Sequence, residues 1–199
     1  SIRVVAKSSV QGELIPSSLV KPVRQYLNKD PLLVVAPAKG YGLAINCANC
    51  RNVAKCYCGG KLTKRNRSGN PICAICHKSY PNWKCLFCKK EQIYLLGRGI
   101  ERIAEEFGKS FPNTEIHIST KEKEIEGQIG KRSIVLSTVG SVPNMKYSAV
   151  LFLDGLSLGA DLRSDERYLA LLMRYTAAAN GQAMLVERQE HPVIAALTR

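Results

Sequence analysis

Between Cys47 and Lys90 the chain has not one aspartate or glutamate, and outside Cys47–Cys88 it has not one cysteine. Other absences set bounds as well. No apolar run approaches the roughly 18 residues that a membrane-spanning helix needs, so no membrane partner is expected. The GxxxxGK[ST] loop that cradles nucleotide phosphates is missing. The three histidines, His77, His117 and His191, are dispersed, and no Ser/His/Asp or Cys/His set suggests nucleophilic catalysis. The amino terminus, Ser1-Ile2-Arg3-Val4-Val5, lacks the charged start and long apolar core of a secretory signal. It does not begin with Met, as expected of a processed or excised piece. There is no internal repeat beyond the cysteine pairs and no low-complexity tract.

What is present is concentrated. Eight cysteines form four close pairs, Cys47/Cys50, Cys56/Cys58, Cys73/Cys76 and Cys85/Cys88. Two cysteines two or three residues apart offer both sulfurs from one turn, and zinc prefers four such thiolates in a tetrahedron. The pattern predicts two structural zinc ions in closed sites with no open coordination position. Four disulfides are the competing arrangement, but that suits short secreted scaffolds with cysteines throughout. Here about 110 cysteine-free residues follow the cluster. Spacing leaves the pairing open. A nested scheme joins Cys47, Cys50, Cys85 and Cys88 around Cys56, Cys58, Cys73 and Cys76; a sequential one joins each pair to its neighbour. His77 is a spare ligand at most and is expected in solvent. Reduced thiols without an export signal point to the cytoplasm.

The net charge of +13 is unevenly placed. Residues 47–90 hold ten Lys/Arg and no acid, whereas residues 91–199 hold thirteen Lys/Arg and fourteen Asp/Glu. Eight zinc-bound thiolates and two zinc ions would leave about +6 on the cysteine segment, still enough to favour a polyanion. Lys61, Lys64, Arg65, Arg67 and Lys84 are the candidate nucleic-acid contacts. Tyr57, Tyr80, Trp83 and Phe87 interleave with them, as stacking on single strands requires. For Trp83 and Phe87, however, the favoured expectation is that they form the module's small core.

Around this segment the chain alternates short apolar runs with helical periodicity. Ser17 or Ser18 is placed to cap a helix reaching about Asn28, with Pro22 tolerable only near its first turn. Leu32–Ala36, Glu115–Ser119, Ser133–Ser137, Ala149–Leu153 and Ala183–Glu187 read as strands. Ile100, Ile103, Ala104 and Phe107 repeat at helical spacing. Ser164 is the expected cap of a helix whose inner face is Leu169, Leu172, Met173 and Thr176, and a short helix closes the chain. This alternation predicts an α/β fold with a largely parallel sheet and flanking helices, interrupted by the cysteine module after its first strand. Gly97-Arg98-Gly99-Ile100 reads as a plain turn before a helix, an anion-binding start being the weaker alternative, and Asp154 at a strand end reads as a helix-cap or turn residue.

In this order the motifs resemble the PriA (primosomal protein N′) family of replication-restart helicases. Val34–Cys50 (VVAPAKGYGLAINCANC) is similar to that family's strand, Arg-Gly-Tyr turn and first cysteine pair. Gly97–Phe111 is similar to its Gly-x-Gly-Thr-Glu helix start. Ser133–Gly140 lies where the family has a strand running into Gly-Thr-Gln, and Leu153–Arg167 resembles its Asp-Ala-Asp…Asp-Phe-Arg-Ala-x-Glu-Arg stretch. The resemblance implies a RecA-like second helicase lobe, with residues 1–46 its start, 47–90 a zinc-binding insertion and 91–199 its remainder. It also implies the nested zinc scheme, forked or single-stranded DNA, primosome proteins and single-strand binding protein as partners, and association with the nucleoid. ATP enters only by family analogy, in a site between two lobes. Met173–Gly181 (MRYTAAANG) replaces the family's Gln-Val-Ala-Gly-Arg-Ala-Gly-Arg, Ser137-Thr138-Val139 its Gly-Thr-Gln, and Gly155 an apolar residue between acids. Cys56-Tyr57-Cys58 is one residue short of the usual C-x-x-C. Such departures resemble the degenerate PriA-like proteins of actinobacteria and imply a DNA-binding protein without helicase activity of its own. The alternatives are an ATP-dependent helicase whose first lobe lies outside this chain and, apart from the resemblance, a stand-alone zinc-ribbon scaffold binding protein or RNA.

Overall fold

The computed structural model describes residues 1–6, 15–36, 44–66, 68–96, 99–153, 163–187 and 192–197. Arg67, Gly97, Arg98, Asp154, Gly155 and His191, singled out in the sequence, lie outside them. In chain order the elements are β1 (Ile2–Ala6), α1 (Ser17–Leu27), β2 (Leu32–Ala36), β3 (Ala44–Cys47), β4 (Leu62–Thr63), β5 (Ile72–Cys73) and β6 (Ile93–Leu96). There follow α2 (Ile100–Ser110), β7 (Glu115–Ser119), β8 (Ser133–Thr138), β9 (Ala149–Phe152), α3 (Ser164–Ala178), β10 (Ala183–Glu187) and α4 (Pro192–Leu197). They divide into two compact units, residues 1–37 with 106–199, and residues 38–105.

The first unit is built on a six-stranded sheet in the order β1-β10-β9-β2-β8-β7, with every pair parallel. Parallel strands need crossovers: α3 supplies the one from β9 to β10, while β7, β8 and β9 are joined without a helix. The central strands read as unbroken apolar runs, as strands buried on both faces do. β2 (LLVVA) and β9 (AVLF) are buried at every position. Leu33, Val35, Val135, Val150, Phe152 and Leu185 pack with Tyr147, Tyr168, Leu172 and Tyr175 in one core. Two tyrosine hydroxyls in this core have partners, while the buried Ser133 and Thr176 hydroxyls have none among the described residues. Tyr147 donates to the Pro143 carbonyl at 2.8 Å, and Tyr175 accepts from the Gly140 N–H at 3.0 Å. At the carboxyl ends of β7 and β8, Ser119 donates to the Ser141 carbonyl at 2.7 Å.

The α/β fold and parallel sheet follow the expectation, with four local corrections. β1 pairs along the β10 edge and precedes β2, so the cysteine segment follows the sheet's second strand in sequence. α1 begins after Pro16, whose extended backbone ends the preceding chain and whose carbonyl accepts from Leu19 N–H at 2.8 Å; no serine side chain caps it. Pro22 sits well inside that helix. α3 starts after Arg163, again without a side-chain cap, with Asp165 and Glu166 beside its positive end. Its buried face is Tyr168, Leu171, Leu172 and Tyr175, while Met173 is 63% exposed.

Candidate metal centres

The second unit has a core of Ile45, Cys47, Ala54, Cys56, Leu62, Cys73, Trp83 and Cys85. Four of these eight are cysteines, so sulfur replaces much of the apolar volume that a unit this small lacks. Two antiparallel ladders organise it. β3 pairs β6 with Cys47 opposite Ile93, which folds the Cys47/Cys50 turn over the Cys85/Cys88 turn. Within that loop β4 pairs β5 with Leu62 opposite Cys73, bringing Cys56/Cys58 to Cys73/Cys76. The sulfurs therefore gather as the nested tetrads Cys47, Cys50, Cys85, Cys88 and Cys56, Cys58, Cys73, Cys76, the four of each within 4.8 Å of one another.

All eight are free thiols. The nearest sulfurs are 3.4 Å apart for Cys47–Cys88 and Cys58–Cys73 and 3.5 Å for Cys50–Cys85 and Cys56–Cys76. A disulfide measures about 2.05 Å, whereas a tetrahedron with Zn–S bonds of about 2.3 Å has edges near ~3.8 Å. The donor set fits a soft, four-coordinate cation such as zinc, and either tetrad could hold one.

One turn is used four times. In each pair the first cysteine's N–H donates to a carbonyl just beyond the second: Cys47 to Asn52, Cys73 to Lys78 and Cys85 to Lys90 at 2.9 Å, Cys56 to Gly60 at 2.8 Å. The first cysteine's carbonyl accepts from Arg51, His77, Lys89 or Gly59, and these four residues all have left-handed backbone, with φ of 61°, 58°, 59° and 84°. Cys56-Tyr57-Cys58 closes the same way despite its missing residue, because the left-handed position falls on glycine and the turn is one residue tighter. Sequence reasoning missed the role of the residue after each pair; for Gly59 the signal was the Gly59-Gly60 dipeptide. His77, exposed, occupies such a turn position.

The electrostatics of each tetrad explain why a cation suits it. The Asn52 backbone N–H, then its side-chain amide, brings Cys50 down to about 6. The Tyr80 hydroxyl, 2.9 Å from the Cys56 sulfur, and then the Cys58 N–H bring Cys56 down to about 6. Their neighbours move the other way. For Cys47 the Cys50 N–H favours ionisation, but burial and the sulfurs of Cys88 and Cys50 outweigh it and push the thiol up to about 11. For Cys76 the Lys78 N–H is likewise outweighed by Cys56, Cys58 and Cys73, and the thiol rises to about 11. Cys88, favoured by the Lys90 N–H, and Cys73, where burial is outweighed by the Cys76 and Ile75 N–H groups, are lowered as well. The favoured thiolates of each tetrad thus suppress a neighbour, and a divalent cation lets all four ionise. The outer tetrad is shielded, with Cys47 and Cys85 buried and Cys50 and Cys88 half-buried; in the inner one Cys58 and Cys76 are exposed.

Of the candidate nucleic-acid contacts, Lys61 and Arg65 are exposed and Lys64 is half-buried, all on or beside β4. Lys84 faces Glu91 at 3.0 Å in an exposed pair, an arrangement worth little in water. Trp83 is buried at 8% exposure, as a core residue should be; Phe87, given the same expectation, is 68% exposed. The Cys85/Cys88 turn points both sulfurs inward, which leaves the residues between them outside.

No protein-family model matches the chain. It is 29% identical over 198 residues to a protein of Mycobacterium bovis named probable replication restart protein PriA, covering 93% of this chain and 30% of that protein. A protein of the same name from Mycobacterium leprae is 30% identical over 200 residues, again covering 93% and 30%. One from Mycobacterium tuberculosis (strain CDC 1551 / Oshkosh) is 30% identical over 181 residues, covering 85% and 28%. The chain spans about 30% of the length of these curated relatives. Across nearly all of its own length, then, the chain is a PriA-like region carrying two cysteine tetrads.

Proposed function

We propose that this chain is a DNA-binding part of a replication-restart protein, in which two structural zinc ions hold a basic module against nucleic acid. The observation that carries this is the coincidence of two closed thiolate tetrads with a segment of ten Lys/Arg and no acid, in a chain aligned with PriA-named proteins. Zinc is chosen over other metals for the all-sulfur donor set, and Cys47, Cys50, Cys85 and Cys88 hold one ion while Cys56, Cys58, Cys73 and Cys76 hold the other. The cysteine segment, residues 47–90, is an insertion in a second helicase-like lobe formed by residues 1–46 and 91–199. Lys61, Lys64, Arg65, Arg67 and Lys84 contact phosphates. Forked or single-stranded DNA is the ligand, with primosome proteins and single-strand binding protein as partners near the nucleoid. Among the described residues, no helix is long and apolar enough to cross a membrane.

The chain itself does not drive unwinding in this account. An arginine that stabilises phosphoryl transfer is commonly worth about 10³–10⁵ in rate, and residues 173–181 offer only Arg174, whose guanidinium lies over the Tyr175 ring at 5.7 Å. Binding of a forked DNA measured against salt tests the proposal. Affinity should fall steeply, with a log–log slope near −0.9 per phosphate neutralised on duplex, and Lys61→Ala or Arg65→Ala should each reduce that slope by about 1. A flat salt response would sink the phosphate contacts. ATP turnover stimulated by the same DNA would overturn the non-catalytic reading.

A further inference from the structure

Beside the outer tetrad is a cleft of about 260 Å³ lined by Val53, Ala54, Lys55, Trp83, Leu86 and Phe87 among others. Ala54 and Trp83 are buried and form its floor; Leu86 and Phe87, 52% and 68% exposed, stand at its rim. The turn itself does not require those two apolar side chains. The equivalent positions of the other outer turn, closed by the same hydrogen bonds, are Ala48 and Asn49. An exposed Leu-Phe pair beside an aromatic floor therefore has another use. Small-molecule sites run about 300–1,000 Å³, so the cleft is too small for a helix or a long peptide and suits a single planar ring. The surrounding segment is wholly basic, and Lys55 lines the cleft without an acidic partner among the described residues.

We propose that this cleft is a base-binding site, in which one unpaired nucleobase stacks on Phe87 against Leu86 and Trp83 while Lys55 meets the adjoining phosphate. Apolar walls with a cationic rim match the ring and charge of a nucleotide, and stacking is tolerant of sequence because every base has a π-face. The idea rests on the DNA-binding reading above and gives it an unpaired strand as its target.

Trp83 is the chain's only tryptophan, so its fluorescence reports on the cleft directly. The test titrates the zinc-loaded full chain with a fifteen-nucleotide oligothymidylate and with an abasic strand of equal length and charge. The oligothymidylate should change Trp83 emission and bind more tightly. Phe87→Ala should weaken it by roughly 5- to 100-fold and leave the abasic strand unaffected, with Phe87→Tyr restoring binding; unchanged zinc content shows that the variants fold. Equal affinity for both strands, with no response to Phe87→Ala, overturns the base site while phosphate binding stands. If neither strand binds, the DNA-binding reading falls first. If an apolar peptide shifts Trp83 emission and DNA does not, the cleft belongs to a protein partner.

Discussion

The Tyr80 hydroxyl stabilises the Cys56 thiolate, and the cost appears on Tyr80 itself, whose own ionisation is pushed up to about 12 by that hydrogen bond. Outer-sphere donors of this kind typically contribute 10–100-fold to metal affinity. Tyr80→Phe should therefore weaken the inner site by about that factor and leave the outer one intact, as read by competition with a chromophoric chelator. In the metal-free chain the sign is definite. A Cys56 thiol lowered from 9.0 to about 6 contributes stability that is fully present above pH 9 and lost as pH falls through 6. Denaturant midpoints of the metal-free native chain should rise across that window more than those of Tyr80→Phe. Gly60 gives a sharper test, because a Cβ there would lie 2.6 Å from the Cys73 sulfur. Gly60→Ala should cost the inner metal, whereas Gly59→Ala, with open space but φ of +84°, should cost only about 1–2 kcal/mol of backbone strain. Titrated zinc per chain distinguishes the two.

The elements differ in how openly the sequence declares them. β2 and β9 were legible because strands buried on both faces are continuous apolar runs. β1 was not, since an edge strand with one buried residue leaves a weak pattern. Both helix caps were misjudged for a common reason: a serine near a helix start signals a cap by propensity, but Pro16 and Arg163 fix where the chain turns. In α3 the expected stripe was shifted; Tyr168 and Tyr175 lie seven residues apart and mark the buried face, and their polar hydroxyls made them less conspicuous than Met173. Leu172→Ala should destabilise by about 2–5 kcal/mol and Met173→Ala by no more than about 0.5 kcal/mol, in chemical denaturation. α1 offers the reverse case. Pro22 forfeits the bond to the Ser18 carbonyl and crowds it, so Pro22→Ala should raise the thermal midpoint by a few degrees.

At the scale of the molecule, the cysteine pattern announced two tetrads but spacing alone did not say which pairs meet. That is settled by long-range pairing: Cys47 opposite Ile93 and Leu62 opposite Cys73 close one loop inside another. No local rule carries that information, although family resemblance did. The exposed Phe87 was illegible for a related reason, because its direction follows from where both flanking sulfurs must point. The functional account depends on those sulfurs holding metal, since the unit's core is half cysteine and, without a cation, nothing ties the four sulfurs of each tetrad together. Metal analysis of the purified chain, paired with a thiol count before and after chelation, tests this most directly. The account predicts two zinc ions per chain and eight thiols that become reactive only when zinc is removed. One zinc or none, with thiols consumed in disulfides, would contradict it.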